Sequence, residues 1–121
     1  LPARYPVRLK RVDEPPDAED GLRLLVDGVW PRGMRKDTLE LEAWLRIIAP
    51  STALRRWYGH DPARWEAFRA RYFAEPAANE AGLARLRSDP VRGPATFVYA
   101  AADEEHNNAV ALRDYILQGS G

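Results

Sequence analysis

The chain has 121 residues, 45% of them hydrophobic and 30% charged, which suits one packed domain and is too short for two. Its 18 Lys and Arg balance 18 Asp and Glu, so no global field recruits nucleic acid or an anionic membrane. Cysteine is absent, which excludes disulfides, thiolate nucleophiles and cysteine-type zinc sites. No apolar run approaches the roughly 20 residues of a membrane span and no signal peptide is visible, so a cytoplasmic protein is expected. The absent initiator Met and the Gly119-Ser120-Gly121 tail suggest ends altered by processing. All basic residues except Lys10 and Lys36 are arginines, a bias that fits either a GC-rich genome or anion recognition.

In chain order, residues 1–6 read as a leading tail with two prolines. Residues 7–12 alternate like a first strand with one apolar face. The acidic, proline-broken segment from Asp13 to Gly21 reads as a solvated loop. Residues 22–26 form a second, apolar strand with one charge at Arg23. After Gly33, Asp37 and Glu40 resemble an acidic capping box. Leu41, Trp44, Leu45 and Ile48 then repeat at helical spacing, which predicts a helix that Pro50 stops.

Ser51 or Thr52 caps a second predicted helix carrying Leu54, Trp57 and Tyr58, ended by Gly59. Asp61-Pro62 is an N-cap followed by proline at the first helical position, opening a third helix with Trp65, Phe68 and Tyr72 on its packing face. A fourth helix is predicted from Pro76, holding Leu83 and Leu86. Residues 95–100 read as a buried strand, and Asp103 as the cap of a last helix with Ala109, Leu112 and Ile116 inward. The expected fold is α/β: a small, mainly parallel sheet covered by helices, with a helical cluster at 38–88 inserted between the second and third strands. One domain, 1–121 with its core at 7–117, is expected, and an aromatic core of Trp44, Trp57, Trp65 and Phe68 should hold the insert.

Two strand ends attract polar residues that turns alone do not require. The second strand runs out into Asp27-Gly28-Val29-Trp30-Pro31-Arg32-Gly33, and the third into Tyr99, Asp103, His106 and Asn107. In open α/β sheets, ligands bind beyond the carboxyl ends of the strands. If those two strands are parallel neighbours, His106 is the candidate acid or base, with Asp27 or Asp103 orienting it. Trp30, Arg32, Tyr99 and Asn107 would then bind a ligand, with Arg32 forking onto an anion. The plainer readings are that Asp27 braces its turn, Trp30 is core, Asp103 is a cap and Arg32 pairs with a nearby acid. His60, before an N-cap, reads as structural. No phosphate loop, nucleophile elbow or His-Glu-x-x-His helix is present, and the aromatic-interleaved basic strands of a single-strand binder are missing. A metal site from Asp27, Asp103 and His106 has no recognised ligand spacing, and no cofactor is implied.

Several segments together carry a family resemblance. They are Leu24-Val26-Asp27, Trp30-Pro31-Arg32-Gly33, Ala49-Pro50-Ser51-Thr52 with Leu54-Arg55, Gly59-His60-Asp61-Pro62 with Trp65 and Phe68, and Tyr99-Ala100-Ala101 with Asp103 and Glu105-His106-Asn107. In this order, from about Val7 to Leu117, the chain resembles the YeaO-like branch of the family called domain of unknown function 488. The resemblance implies a bacterial cytoplasmic protein and brings no biochemical activity with it. Where the family usually reads Val-Asp-Arg-Leu-Trp-Pro-Arg-Gly, Gly28 here replaces the first Arg and Val29 the Leu. Either an anion donor has been lost or the turn has merely been loosened. The wider family's last motif carries Cys-His-Arg; with His106-Asn107 near that place, a cysteine-dependent reaction is not implied.

Two functions from different classes follow. One is an enzyme acting on a small anionic, nucleotide-like or phosphate- or carboxylate-bearing substrate through His106. The other is a non-catalytic ligand- or protein-binding module on the same crevice. No membrane partner is expected, and the sequence leaves the oligomeric state open.

Overall fold

The computed structural model describes residues 7–75 and 95–120. Three runs of β-forming residues assemble its sheet: β1 (Val7–Arg11), β2 (Leu22–Leu25) and a strand of five buried residues at Ala95–Tyr99, β4. A two-residue strand, β3 (Ala43–Trp44), adds a fourth. All pairings are parallel, in the order β1-β4-β2-β3. Ala95 lies opposite both Val7 and Leu22, so β2 and β4 are parallel neighbours and end at the same edge. The ladder runs one step past the strands, with the Val12 and Val26 N–H groups donating to the Tyr99 and Val98 carbonyls at 2.8 and 3.2 Å. The fold is α/β, as the sequence predicts.

Side chains alternate across a sheet, and here both faces are used. Val7, Leu24, Val26, Ala95 and Phe97 share the core beneath the helices α2 (Thr52–Tyr58), α3 (Trp65–Ala74) and α4 (Asn108–Ser120). The other face carries Arg8, Thr96 and Arg23 side by side in one register row. Over it folds the Asp13–Gly21 segment, which is not the solvated loop expected throughout. Asp17 caps a 3-10 turn at Ala18–Asp20, and Asp20 is wholly enclosed. Its carboxylate accepts from Arg23 Nη1 at 2.6 Å and from Lys10 Nζ at 3.1 Å. Burial works to raise the Asp20 pKa, but donation from Lys10, the Asp17 N–H and Arg23 prevails and holds it below the usual carboxylate range. A guanidinium inside an apolar strand requires such a partner.

The helix expected over Leu41–Ile48 does not form. A four-residue helix, α1 (Lys36–Leu39), ends where Glu40 turns left-handed at φ 46°. Beyond it the chain pairs with the free edge of β2: the Glu42 and Leu45 N–H groups each donate at 2.8 Å, to the Arg23 and Leu25 carbonyls. An open strand edge leaves a row of backbone groups to satisfy, and that demand overrides a four-residue periodic pattern. Arg46–Ile48 then makes a 3-10 turn.

The next two helices start as their caps dictate. Ser51 Oγ accepts from the Leu54 N–H at 3.1 Å, and Gly59 closes α2 in the left-handed region. Asp61 accepts from the Ala63 N–H at 3.0 Å, over a 3-10 turn that leads into α3. Between them Tyr58, Trp65, Phe68 and Tyr72 form a ring stack, with Tyr58 and Phe68 centroids 4.4 Å apart. Trp44 is not part of this core, since its strand carries it to Trp30, 5.4 Å away and edge-on. Trp57 lies at the margin with the Arg64 and Arg71 guanidiniums against its ring. The predicted helix from Pro76 falls outside the described residues. The final helix begins at Asn108 rather than near Asp103; its cap is Asn107, whose Oδ1 accepts from the Val110 N–H at 3.0 Å.

Candidate functional site

At the carboxyl edge of β2 and β4 the chain opens a crevice of about 620 Å³. One wall is the Asp27–Arg32 loop, the opposite wall is α2 with His60, and the floor is Ala100, Ala101, Asn107 and Asn108. The loop is pinned at both ends. The Trp44 indole N–H donates to the Asp27 carbonyl at 2.7 Å, and the Trp30 indole N–H donates to the Met34 carbonyl at 2.9 Å. Gly33, at φ +79°, turns the chain away. Val29, left 57% exposed, stands on the loop at the mouth.

Asp27 is held by neutral donors only. Its carboxylate accepts from Asn108 Nδ2 at 3.0 Å and from the Ala100 N–H at 2.9 Å. Asn108 Nδ2 is itself shared with the Val26 carbonyl at 3.1 Å. Burial pushes the Asp27 pKa above the usual carboxylate range, against the pull of those hydrogen bonds and of the Arg55 and His60 charges. Asp27 forms no ion pair among the described residues.

Three arginines line the opposite side and the loop: Arg32, Arg55 and Arg56. Arg55 lies against Gly28, where a Cβ would stand 3.8 Å from its guanidinium carbon and 3.5 Å from the Ala49 Cβ. Its Nη2 donates to Thr52 Oγ1 at 3.2 Å, while its Nε is buried without a partner. Among the described residues, every arginine outside the crevice meets a carboxylate or lies over an aromatic ring; these three meet neither. His60 joins them from a left-handed backbone at φ 56°. For a residue with a Cβ that conformation costs about 1–2 kcal/mol, and such strain gathers at functional sites.

The residues singled out in the sequence divide into two groups. Asp27, Trp30, Arg32 and Asn107 line the crevice, but Tyr99, Asp103 and His106 do not. Tyr99 is buried, its hydroxyl raised in pKa first by burial and then by Glu104 and Glu14. Asp103 accepts from the Glu105 and His106 N–H groups at 2.9 and 3.0 Å, and its other oxygen meets His106 Nδ1 at 3.0 Å. Those contacts, led by the Glu105 N–H, hold the Asp103 carboxyl below its ordinary range. The His106 ring packs edge-on to Trp65, 5.3 Å away. Tyr58 lines the crevice, and its hydroxyl donates to the His106 carbonyl at 3.1 Å. Asn107 spends its amide on structure, donating to the Asp103 carbonyl at 2.9 Å while capping α4.

Arg55, Arg56 and Asn108 were not singled out, and His60 was read as structural. Their signal was faint but present. With Leu54 and Tyr58 facing the core, Arg55 must fall on the flank of α2, the flank turned to the strand ends. No group of three or more His, Asp or Glu among the described residues is placed to hold a metal ion, and no described helix is long and apolar enough to cross a membrane.

A parallel sheet with a crevice beyond two adjacent strand ends is shared by many families, and comparison with known proteins narrows the class. The family model described as the inactive DUF488-N3 subclade matches residues 6–120. The chain is 37% identical over 110 residues to the uncharacterized protein YeaO of Escherichia coli strain K12, covering 91% of this chain and 96% of that one. It is 42% identical over 106 residues to the uncharacterized protein Rv3073c of Mycobacterium tuberculosis strain H37Rv and to Mb3100c of Mycobacterium bovis, covering 88% of this chain and 89% of each relative. No solved structure matches significantly. The chain belongs to the DUF488 family, in its YeaO-like branch.

Proposed function

We propose that the crevice is a binding site for a small anion and that it works without turnover. The observation that carries this reading is Arg55: it lines the crevice with the exposed Arg32 and Arg56, forms no ion pair among the described residues, and keeps a buried Nε with no acceptor. An unsatisfied buried donor costs about 1–3 kcal/mol, which an oxyanion would recover. The volume lies within the ordinary range for small-molecule sites. An acid/base role would fall to Asp27 or His60, because His106 and Asp103 stand outside the crevice. The description of the matched subclade as inactive favours binding over catalysis.

Thermal unfolding in the presence of phosphate, sugar phosphates, nucleotides and carboxylates tests the reading. An anion at 100 times its dissociation constant adds about 2.7 kcal/mol of stability, and Arg55→Ala should abolish that gain while leaving the unliganded protein folded. Equal stabilisation of the wild type and Arg55→Ala by every anion would end the proposal. Turnover of any phosphate or carboxylate ester that is lost in Asp27→Asn would favour the enzyme instead.

A further inference from the structure

Resting on that anion reading, we infer that the ligand is a hydroxyl-rich phosphate, a phosphorylated sugar or ribonucleotide, whose hydroxyls donate to Asp27 while its phosphate meets Arg55. The crevice, at about 620 Å³, is far larger than a phosphate ion needs, so the anion brings a body with it. Asp27 is the carboxylate that this body would meet. An ionised carboxylate offers about four acceptor positions; Asp27 lines the crevice and accepts two described hydrogen bonds, from Asn108 and Ala100, which leaves acceptor capacity for a ligand.

The charge around Asp27 selects among donors. An ammonium group there would approach a carboxylate already sharing its crevice with three arginines, each repelling it. A neutral hydroxyl meets no such repulsion and still gains a charge-assisted hydrogen bond. The Trp30, Tyr58 and Phe68 rings supply an apolar wall for a sugar face or a base. Arg55, bonded to Thr52 and lying against Gly28, lines the same crevice, and its Nε is buried without a partner.

Titration calorimetry on the intact chain separates this from the anion reading. The probes are inorganic phosphate, ribose 5-phosphate, 2-deoxyribose 5-phosphate, adenosine 5′-monophosphate and phosphoethanolamine. Ribose 5-phosphate should bind about tenfold or more tightly than inorganic phosphate, since hydrogen bonds to a charged acceptor are the stronger kind. The deoxy sugar and phosphoethanolamine should lose most of that advantage. Asp27→Asn should erase the preference for ribose 5-phosphate over inorganic phosphate. The wild-type series stands even if the variant folds poorly. Further tightening by adenosine monophosphate supports the nucleotide form, and none supports the free sugar phosphate. Equal binding of phosphate and ribose 5-phosphate, or preference for phosphoethanolamine, overturns this inference and leaves the anion site standing. Failure of all five probes to bind removes both.

Discussion

Replacing Asp20 with alanine tests the account of the far face of the sheet and, through it, the platform of the crevice. Asp20 is 0% exposed and Arg23 4%, so the carboxylate and the guanidinium are both withdrawn from water. Arg23 Nε donates to the Leu39 carbonyl at 2.8 Å, Nη1 to Asp20, and Nη2 is buried without a partner. Removing the carboxylate leaves an enclosed cation with one neutral acceptor. It also strips Lys10 of its ion pair and the Asp17 N–H of a 3.0 Å acceptor. Removing one partner of a buried pair costs about 3–5 kcal/mol, a large part of the 5–15 kcal/mol typical of whole domains. For a chain of this size that corresponds to a fall of roughly 10–25 °C in melting temperature.

The pH dependence gives an independent reading of the same network. The folded Asp20 pKa lies below its model-compound value of 3.8, so its stabilisation is complete above 3.8 and is lost as pH falls through the lower folded value. Calorimetry of Asp20→Ala should therefore show the largest deficit near neutrality and convergence with the wild type in strong acid. Replacing Asp20 and Arg23 together by Leu and Met should cost less than Asp20→Ala alone. A melting point within 2 °C or so of the wild type for Asp20→Ala, well under the magnitude above, would refute the buried-pair account.

Three further outcomes follow. Phe68→Ala, at the centre of the Tyr58–Trp65–Tyr72 stack, should cost about 3–5 kcal/mol in denaturant unfolding; an unchanged midpoint would mean the stack does not hold the helices. Because the Asp27 pKa is raised above 3.8, its contribution to stability is fully present below 3.8 and lost as pH rises through the folded value. Melting curves of Asp27→Asn should accordingly gain on the wild type across that rise, and parallel curves would deny the shift. Gly28→Ala should leave the melting point nearly unchanged, since a Cβ there meets only ordinary contacts at 3.5 and 3.8 Å. The same change should weaken phosphate binding, measured by calorimetry, by setting a methyl group against the Arg55 guanidinium.

Where backbone chemistry is local, the residues were explicit. Ser51, Gly59 and Asp61-Pro62 set helix ends that the structure reproduces, and β-branched and aromatic runs gave three strands of the sheet. The convergence of the β2 and β4 ends followed from two polar clusters placed after apolar strands. The failure at Leu41–Ile48 has a non-local cause, because nothing in that segment announces that the edge of β2 needs backbone partners. Arg23 could have been read better: a lone charge in an apolar strand asks for a counter-ion, and Asp20 stands three residues before it. By residue type and position His106 is the better proton carrier, yet Asp103 binds it into its own loop and it does not line the crevice. His60 reads as structural from its place before an N-cap, and its left-handed backbone at φ 56° is visible only in the fold.

The two charged regions of the sheet are built on opposite rules. On the far face, Asp20 gathers Lys10 and Arg23 within 3.1 Å, and Arg8 lies at its margin. That pairing satisfies the demand that enclosed charge be compensated. At the carboxyl edge, among the described residues, Asp27 forms no ion pair and Arg32, Arg55 and Arg56 meet no carboxylate within ion-pair distance, although they share one crevice. Asn108 and the Ala100 N–H hold Asp27 with neutral donors, and Arg55, which donates to Thr52, acts on it only through its charge. On the proposed anion-site reading, one ligand meeting both Asp27 and Arg55 offsets the cost of leaving these charges unpaired in the free protein.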